Sequence, residues 1–342
     1  MIAINHGKAT WVVGIDTSAY TTSVAWVTED GRLREAREVL AVPAGSRGLR
    51  PSEALFQHTK VLPRLLEQLM NERPSGPFGG VAVSVAPRPQ ADSYLPPFLV
   101  GELAARSIAA ASGVPVWRTT HQEGHIRAGM VGARMPSSVS QFLAVHLSGG
   151  TTELVSVTVH GPRLRVERLG ATDDLYAGQF VDRIGVLLGL PFPAGPALDA
   201  LAETSDAPFP LPSSPPRWRD GLWRISFSGP ETAARRAIEQ GRDASRVAKG
   251  VVDAIARSVS ALIQKAAAPQ DVLVVGGVAA NTHIRRVLSS RLERLGYRIW
   301  FADPHWSRDN AIGVAYLGLD AWRAGSAEAP GAVPPRGGTA QQ

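Results

Sequence analysis

Two histidines four residues apart, His121 and His125 in "HQEGH", have the spacing of a metal-binding pair. If this stretch is helical, both imidazoles share one face, because a helix turns once in about 3.6 residues. Two neutral imidazoles placed in this way can bind one divalent ion. The order differs from the His-Glu-x-x-His motif of zinc proteases, and Glu123 points to another face. The pattern predicts part of a metal site and leaves its third ligand and its chemistry open.

A carboxylate near the end of the chain is a candidate for that third ligand. Asp309, in "DPHWSRDNAIG", is predicted at the N-cap of a final helix, where it would accept hydrogen bonds from helix N–H groups. Its alternative role is to complete a set of two histidines and one carboxylate, which leaves coordination positions open for a substrate.

Three turns rich in small and hydroxyl-bearing residues are candidate ligand-binding loops. Asp16 ends an apolar strand before the Thr- and Ser-rich turn in "GIDTSAYTTS", and "LSGGTTE" contains Gly149 and Gly150. In "VLVVGGVAAN", two glycines separate a buried strand from a helix start near Asn281. Glycine lets backbone N–H groups approach an anion closely, and a helix N-terminus favours phosphate. Each turn alone is typical of an ordinary turn, whereas the three together favour a nucleotide-like ligand.

The elements that would carry these turns form two similar halves. Each half begins with a hairpin, at residues 11–28 and 142–159, and continues with alternating helices and strands. The predicted helices are 52–71, 97–112, 175–189, 196–204, 231–266 and two that start near 279 and 309, and the other predicted strands are 81–85, 114–117, 271–277 and 297–301. This alternation predicts sheets with helices packed on them and a ligand cleft between the halves. We expect an N-terminal lobe at 10–135, a C-terminal lobe at 136–325 whose last helix can pack back on the first lobe, and a disordered tail at 326–342.

Composition narrows the class of protein. The 342 residues suffice for two domains, and the absence of a leader or an uncharged apolar span predicts a cytoplasmic protein that does not enter a membrane. Without cysteine, a thiolate nucleophile, a cysteine-bound zinc and a disulfide are excluded. The net charge of +6 favours a nucleic-acid partner. However, 32 of the 36 basic residues are arginine, a bias that genome composition explains equally well.

The combined motifs resemble one family, TsaD (also called Gcp). The segments that match in order and at about the right spacing, over about residues 11–322, are "GIDTS", "HQEGHIRAG", "LSGGTTELV", "LGATDDLYAGQFVDRIGVLLGLPFPAGPALDALA", "FSGPET", "GGVAANTHIR" and "RDNAIGVAY". Members of this family are tRNA threonylcarbamoyladenosine transferases, formerly called glycoproteases or M22 peptidases. The resemblance implies an α/β, actin-like ATPase fold of the sugar-kinase and Hsp70 type, two-lobed and built from duplicated ribonuclease H-like units.

The resemblance also implies a reaction and its participants. Threonylcarbamoyl would pass from threonylcarbamoyl-adenylate to N6 of the adenosine 3′ of the anticodon in tRNA. One divalent metal, iron or zinc, would polarise the carbamoyl group as a Lewis acid. The nucleotide ligand would be threonylcarbamoyl-adenylate or ATP. Expected partners are tRNA, a smaller TsaB-like homologue and a TsaE-like ATPase.

Residue roles follow from the same resemblance. His121, His125 and Asp309 would bind the metal, and Asp16 and Asp182 would be the catalytic carboxylates. The residues implied for substrate binding are Ser148, Gly149, Gly150, Thr151, Asp182, Gly195 and Asn281.

Several polar positions of the family motifs are changed in this chain. Two acidic positions of the first turn are Tyr20 and Thr21, a histidine is Thr151, and a lysine is Glu231. A glutamate before Asp182 is Gln179. These changes keep a second reading open, in which the chain is a non-catalytic or regulatory paralogue that binds metal and nucleotide and pairs with the same machinery. A kinase on this scaffold also stays open, whereas a peptidase is disfavoured because no Ser-His-Asp set is evident.

Overall fold

The structure, a computed structural model, describes residues 9–42, 49–90 and 92–326. It divides into two compact units by internal contacts. Unit 1 comprises the described residues up to Val131, Val159–Leu164 and the residues from Asp309 onwards, and unit 2 comprises Gly132–Thr158 and Arg165–Arg308. Within the described ranges, no helix is both long and apolar enough to span a bilayer. The predicted disordered tail lies outside the described residues except for Ser326.

The sheet of unit 1 has five strands in the order β3-β2-β1-β4-β5. Its strands are β1 (Trp11–Thr17), β2 (Thr21–Thr28), β3 (Leu33–Val39), β4 (Phe78–Ser84) and β5 (Val116–Thr119). Its helices are α1 (Pro51–Asn71), α2 (Phe98–Ser112), α3 (His121–Gly132), whose last residue belongs to unit 2, and α9 (Ile312–Arg323). Strand β1 is antiparallel to β2 and parallel to β4, and every residue of β1 and β2 is buried. Such all-round burial is what helices on both faces of a sheet produce.

Helix α9, from the last segment of unit 1, packs closely against β1 and α3 from its first segment. Gly14 in β1 lies against the backbone of Ala315 in α9, where any Cβ would collide. Gly313 in α9 likewise touches the backbone of Gly124 in α3. Because these glycines remove the side chains that would separate the elements, the start of α3 and the loop before α9 become neighbours.

The second sheet has seven strands in the order β12-β11-β6-β7-β8-β10-β9. Its strands are β6 (Gln141–Leu147), β7 (Thr152–His160), β8 (Arg163–Thr172), β9 (Arg217–Arg219), β10 (Leu222–Ile225), β11 (Asp271–Val275) and β12 (Arg298–Phe301). Its helices are α4 (Ala177–Leu187), α5 (Gly195–Glu203), α6 (Ser228–Glu239), α7 (Ala244–Ala266) and α8 (Thr282–Leu292). Five of these strands, in the order β8-β7-β6-β11-β12, correspond one by one to β3-β2-β1-β4-β5 of the first sheet. Strands β10 and β9 extend the second sheet beyond β8.

One predicted helix is wrong in the structure. The segment 231–266 forms two helices, α6 and α7, because Gly241 adopts a φ of +66° after the first. The Asp243 side chain then accepts a hydrogen bond from Arg246 N, at 2.9 Å, and so starts the second helix. Strands β3, β8, β9 and β10 were not predicted. Of these, β3 and β9 are edge strands, and exposed polar residues weaken the apolar pattern in β3, β8 and β9.

Candidate metal centre and ligand pocket

The first turn of helix α3, which carries His121, is held by the side chain of Glu123. The Glu123 carboxylate accepts hydrogen bonds from Thr120 N (2.9 Å), Thr120 Oγ1 (2.6 Å) and Thr119 Oγ1 (3.1 Å). Burial raises the pKa of Glu123, and these hydrogen bonds partly oppose the rise. Glu123 therefore holds the N-terminus of α3, where His121 is the first residue of the helix.

His121, His125 and Asp309 form one cluster in unit 1. His125 Nε2 lies 3.1 Å from His121 Nε2 and 3.1 Å from Asp309 Oδ1, and His121 Nε2 lies 3.7 Å from the same oxygen. Ligand atoms bound at about 2.0–2.2 Å to one ion lie roughly 3.0–3.6 Å apart. The three atoms thus have the chemistry and the separations of a site for one divalent ion.

The electrostatics of the cluster suit a cation. Burial disfavours the charged form of Asp309, but the hydrogen bond from His125 and the charges of both histidines hold its pKa below its usual range. Burial also works against a charged His121, yet the attraction and hydrogen bond of Asp16 raise its pKa to about 9. The surroundings therefore stabilise an ionised carboxylate and a positive charge beside it, and a metal ion would have to displace a proton from His121 in order to bind.

Asp16 lies behind the cluster rather than in it. Its fully buried carboxylate is 3.0 and 3.2 Å from His121 Nδ1, and it also accepts a hydrogen bond from Ser84 Oγ. A carboxylate that holds one imidazole nitrogen fixes the ring orientation and leaves the other nitrogen for a metal. This contact aims His121 Nε2 at His125 and Asp309.

The prediction that Asp309 is a helix N-cap is wrong. Helix α9 begins at Ile312 with Ala311 at the N-cap. The Asn310 side chain accepts a hydrogen bond from Ile312 N, at 3.0 Å, and so fills the role assigned to Asp309. The Asp309 carboxylate instead turns to the histidines, with Oδ2 held by Thr21 Oγ1 at 3.1 Å and Oδ1 facing the imidazoles.

Unit 2 contains a separate pocket of about 480 Å³. Predicted site residues Gly149, Asp182, Gly195 and Asn281 line it. Apolar and glycine residues complete most of the wall, among them Val181, Leu198, Val252, Gly277, Val278 and Ile284. The pocket therefore offers a few polar groups in an apolar setting, which is typical of small-molecule sites.

Two carboxylates of this pocket are tied to neighbouring elements. Asp182 Oδ1 accepts a hydrogen bond from Ala194 N at 2.7 Å, which joins α4 to the start of α5. Asp199 Oδ1 accepts a hydrogen bond from Asn281 Nδ2 at 2.7 Å, and Asn281 Oδ1 caps α8 through Ile284 N. Burial raises the pKa of both carboxyl groups. Asp199 was not predicted, although its position four residues after Gly195 places it on the same helical face.

The β6–β7 turn contributes its backbone to the pocket. Gly149 lines the pocket, whereas Ser148, Gly150 and Thr151 occupy the same turn without lining it. A Cβ on Gly178 would lie 2.7 Å from Gly149, and Gly178 N donates to Ser148 O at 3.1 Å. The first turn of α4 therefore packs directly on the glycine turn.

Two of the changed motif positions have local structural roles. The Glu231 side chain is nearly buried and lies 3.2 Å from Arg235 and 3.7 Å from Arg183. Gln179 Oε1 accepts a hydrogen bond from Tyr176 N in a capping box at the start of α4. These substitutions are accommodated by partners within unit 2.

Comparison with known proteins gives consistent results over nearly the whole chain. The sequence model of TsaD, described as tRNA N6-adenosine threonylcarbamoyltransferase, matches residues 33–316. A tRNA N6-adenosine threonylcarbamoyltransferase of Thermus thermophilus is 34% identical over 326 residues, covering 92% of this chain and 92% of the relative.

Solved structures are similar at the level of the fold. HypF of T. kodakarensis aligns with a TM-score of 0.57 and 16% identity, covering 96% of this chain and 49% of that chain. The activator of 2-hydroxyisocaproyl-CoA dehydratase from Clostridium difficile, solved with bound ADPNP, aligns with a TM-score of 0.54 and 15% identity, covering 92% of this chain and 96% of that chain. The predicted actin-like α/β fold class is confirmed by these likenesses.

Proposed function

The chain belongs to the TsaD family of tRNA N6-adenosine threonylcarbamoyltransferases, and we propose that it makes threonylcarbamoyladenosine in tRNA. The proposed donor is threonylcarbamoyl-adenylate, and the proposed acceptor is N6 of the adenosine 3′ of the anticodon. The observation that carries this proposal is the convergence of His121, His125 and Asp309 on one point in a member of a transferase family.

The metal that we propose for this centre is iron or zinc. Two imidazole nitrogens and one carboxylate oxygen, without sulfur, suit either ion and leave coordination positions open. When bound, the ion would supply Lewis acidity toward the carbamoyl group of the donor. The protein's own contribution is orientation: Asp16 holds the His121 ring and Thr21 holds the Asp309 carboxylate.

We propose that the pocket of unit 2 binds the nucleotide part of the donor. Its volume of about 480 Å³ falls within the range of about 300–1,000 Å³ for small-molecule sites. Asp182 and Asp199 would accept hydrogen bonds from ribose hydroxyls, and Val181 and Val278 would pack on the base. The backbone at Gly149 and Gly277 gives a phosphate room for close approach, since a Cβ at either position would meet nothing within 4 Å.

The proposed partners are tRNA, a TsaB-like homologue and a TsaE-like ATPase. The net charge of +6 favours tRNA through its phosphates. A tRNA substrate and a chain without cysteine suit a cytoplasmic reaction. We also propose that the predicted lobes, 10–135 and 136–325, are the functional halves of the protein.

A second candidate is a regulatory paralogue that keeps metal and nucleotide binding without transfer. Tyr20 and Thr21 favour it, because they replace two acidic positions of the family's first turn with uncharged groups. Thr21 lies directly beside the metal centre through its hydrogen bond to Asp309.

A transfer assay with a matched control tests the proposal. The wild type, a His121→Ala/His125→Ala variant and a His160→Ala variant, which removes an exposed histidine, would be assayed for bound metal and for transfer. The assay would supply preformed threonylcarbamoyl-adenylate and unmodified tRNA, with and without the two partners. We expect the wild type and His160→Ala to bind metal and transfer, and the double variant to lose both. Metal binding without transfer in every mixture would establish the regulatory paralogue instead.

A further inference from the structure

A third histidine, His58 of α1, is fully buried beneath the β1–β2 turn. Its Nε2 lies 2.8 Å from Ser18 O, and its Nδ1 lies 2.7 Å from Thr22 Oγ1. Because a carbonyl oxygen only accepts, Nε2 must carry the proton, and the Nδ1 of a neutral ring then accepts from the Thr22 hydroxyl. Burial lowers the pKa of His58, which agrees with a neutral ring. Both ring nitrogens are thus used to hold the turn.

The turn above His58 carries a hydroxyl that reaches the metal centre. Ser18 N donates to Thr21 O at 3.2 Å, which closes the turn between β1 and β2. Thr21 Oγ1 then donates to Asp309 Oδ2 at 3.1 Å. His58 holds both sides of this short loop, through Ser18, its first residue, and through Thr22 of β2. The position of the Thr21 hydroxyl therefore depends on the His58 contacts.

We infer that His58 is a positioning residue for the metal centre, because it fixes the turn from which Thr21 orients Asp309. With Oδ2 held by Thr21, the carboxylate presents Oδ1 to the two imidazoles. Outer contacts of this kind set the direction of a ligand atom, and their loss typically weakens metal affinity about 10–100-fold. The inference rests on the metal site proposed above and assigns to it a residue that is not itself a ligand.

A purely structural buried histidine would give a different result from a positioning one. Removal of His58 leaves the Ser18 carbonyl and the Thr22 hydroxyl, both buried, without their partner, so some loss of stability is expected in either case. Only a positioning role predicts that metal affinity falls in a chain that stays folded. His283 provides the matched control, because it is also buried and hydrogen-bonded, to Asp253 and Arg286, but lies in unit 2.

The test is a metal titration of the full-length chain. Zn²⁺ affinity would be measured by competition with a chelator, and the Co²⁺ absorption spectrum would report the ligand geometry. We expect affinity to fall about tenfold in His58→Ala and in Thr22→Val, which removes only the hydroxyl, and to stay unchanged in His283→Ala. His58→Gln should recover part of the loss, because its amide can donate to the Ser18 carbonyl.

The outcomes separate this inference from the proposed metal site. A wild type that binds neither Zn²⁺ nor Co²⁺ would overturn the metal site itself. A wild type that binds, with Thr22→Val and His58→Ala binding equally well, would overturn only the role of His58. If His58→Ala does not fold, Thr22→Val decides the matter, since it preserves side-chain volume and β-branching.

Discussion

The two units carry equivalent hairpin turns that work in different ways. In unit 1, the β1–β2 turn places the side chain of Thr21 against Asp309 and is anchored from below by His58. In unit 2, the β6–β7 turn contributes the backbone of Gly149, and its anchor is the close approach of Gly178. The same strand order thus places a hairpin turn beside each candidate site, and the residues at the turn decide whether a side chain or the backbone faces it.

This difference has an energetic consequence. A metal centre made of side chains depends on the polar groups that orient them. Loss of Asp16, for example, would leave the His121 ring without the contact that orients it. A pocket wall made of backbone depends on close packing. Adding a side chain to one of its glycines should therefore disturb it more than removing a charge near the turn. We therefore expect loss of a polar group to impair the metal centre and added bulk to impair the unit 2 turn.

The largest effect is expected from Asp309→Ala. Loss of the only carboxylate among the three clustered ligand atoms should weaken Zn²⁺ binding by more than about 100-fold, beyond the loss expected for an outer contact. Adenine-nucleotide binding, measured by equilibrium dialysis of the same protein, should be unchanged. A parallel fall in nucleotide affinity would show that the two sites are not independent.

Asp199→Ala is the reciprocal change in unit 2. It removes a pocket carboxylate and the partner of Asn281, so nucleotide affinity should fall about 10–100-fold, the range for losing a hydrogen bond to a charged group. Titration with a fluorescent adenine nucleotide measures this, and Zn²⁺ affinity serves as the internal control. Unchanged nucleotide affinity would remove Asp199 from the site.

Asp16→Asn tests the contact behind His121 without changing its shape. Loss of the Asp16 charge should lower the pKa of His121, so that fewer protons compete with the metal ion. The same loss removes attraction for the ion, and this effect is larger because the ion carries two charges. We therefore expect Zn²⁺ affinity to fall about tenfold. Chelator competition at constant pH measures the change. Equal affinity would mean that the carboxylate only packs against the ring.

Glycine-to-alanine changes test the backbone character of the unit 2 turn. Gly178→Ala puts a Cβ 2.7 Å from Gly149 and should cost about 1–3 kcal/mol of unfolding free energy. Gly150→Ala is the matched control, because a Cβ there meets nothing within 4 Å. Denaturant unfolding of both variants should show a loss only for the first, and equal curves would contradict the steric account.

The smallest effect concerns acid stability and Asp174 of unit 2. Hydrogen bonds from Ser226, Ser228 and two backbone N–H groups outweigh partial burial and lower the pKa of this carboxyl to about 2. Because the folded-state pKa lies below the unfolded value of about 3.9, the stabilisation is present above about pH 4 and is lost as pH falls toward 2. Since the carboxyl is partly exposed, the contribution should be only about 1 kcal/mol. Asp174→Asn should therefore flatten the unfolding free energy between pH 4 and 2, and an unaltered pH profile would refute this.

The sequence predicted best those features that depend on short spacings. Both hairpins and the helical pairing of His121 with His125 follow from local periodicity, which is why they could be read from neighbouring residues. Asp309 was placed at a helix cap because Asp is a good N-cap, and only the structure shows that Asn310 takes that role. The α6–α7 break was missed because its helix-forming pattern continues on both sides of Gly241.

The contacts that orient the ligands lie beyond any local pattern. Asp16 and His121 are 105 residues apart, and Thr21 and Asp309 are 288 residues apart. Nothing in the spacing of such residues marks them as partners, since only the packing of α3 and α9 brings them together. For Asp199, the spacing of four residues from Gly195 was a local signal that was overlooked, whereas its contact with Asn281, 82 residues away, has no local signal.

The division of unit 1 between the two ends of the chain sets the order in which the metal centre can be assembled during synthesis. The ribosome makes His121 and His125 first, then both segments of unit 2, the longer of which is Arg165–Arg308, and only then Asp309. At translation rates of about 5–20 residues per second, a growing chain would hold an incomplete ligand set for roughly 10–40 seconds. The proposed metal centre can therefore be completed only after the long segment of unit 2 has been made.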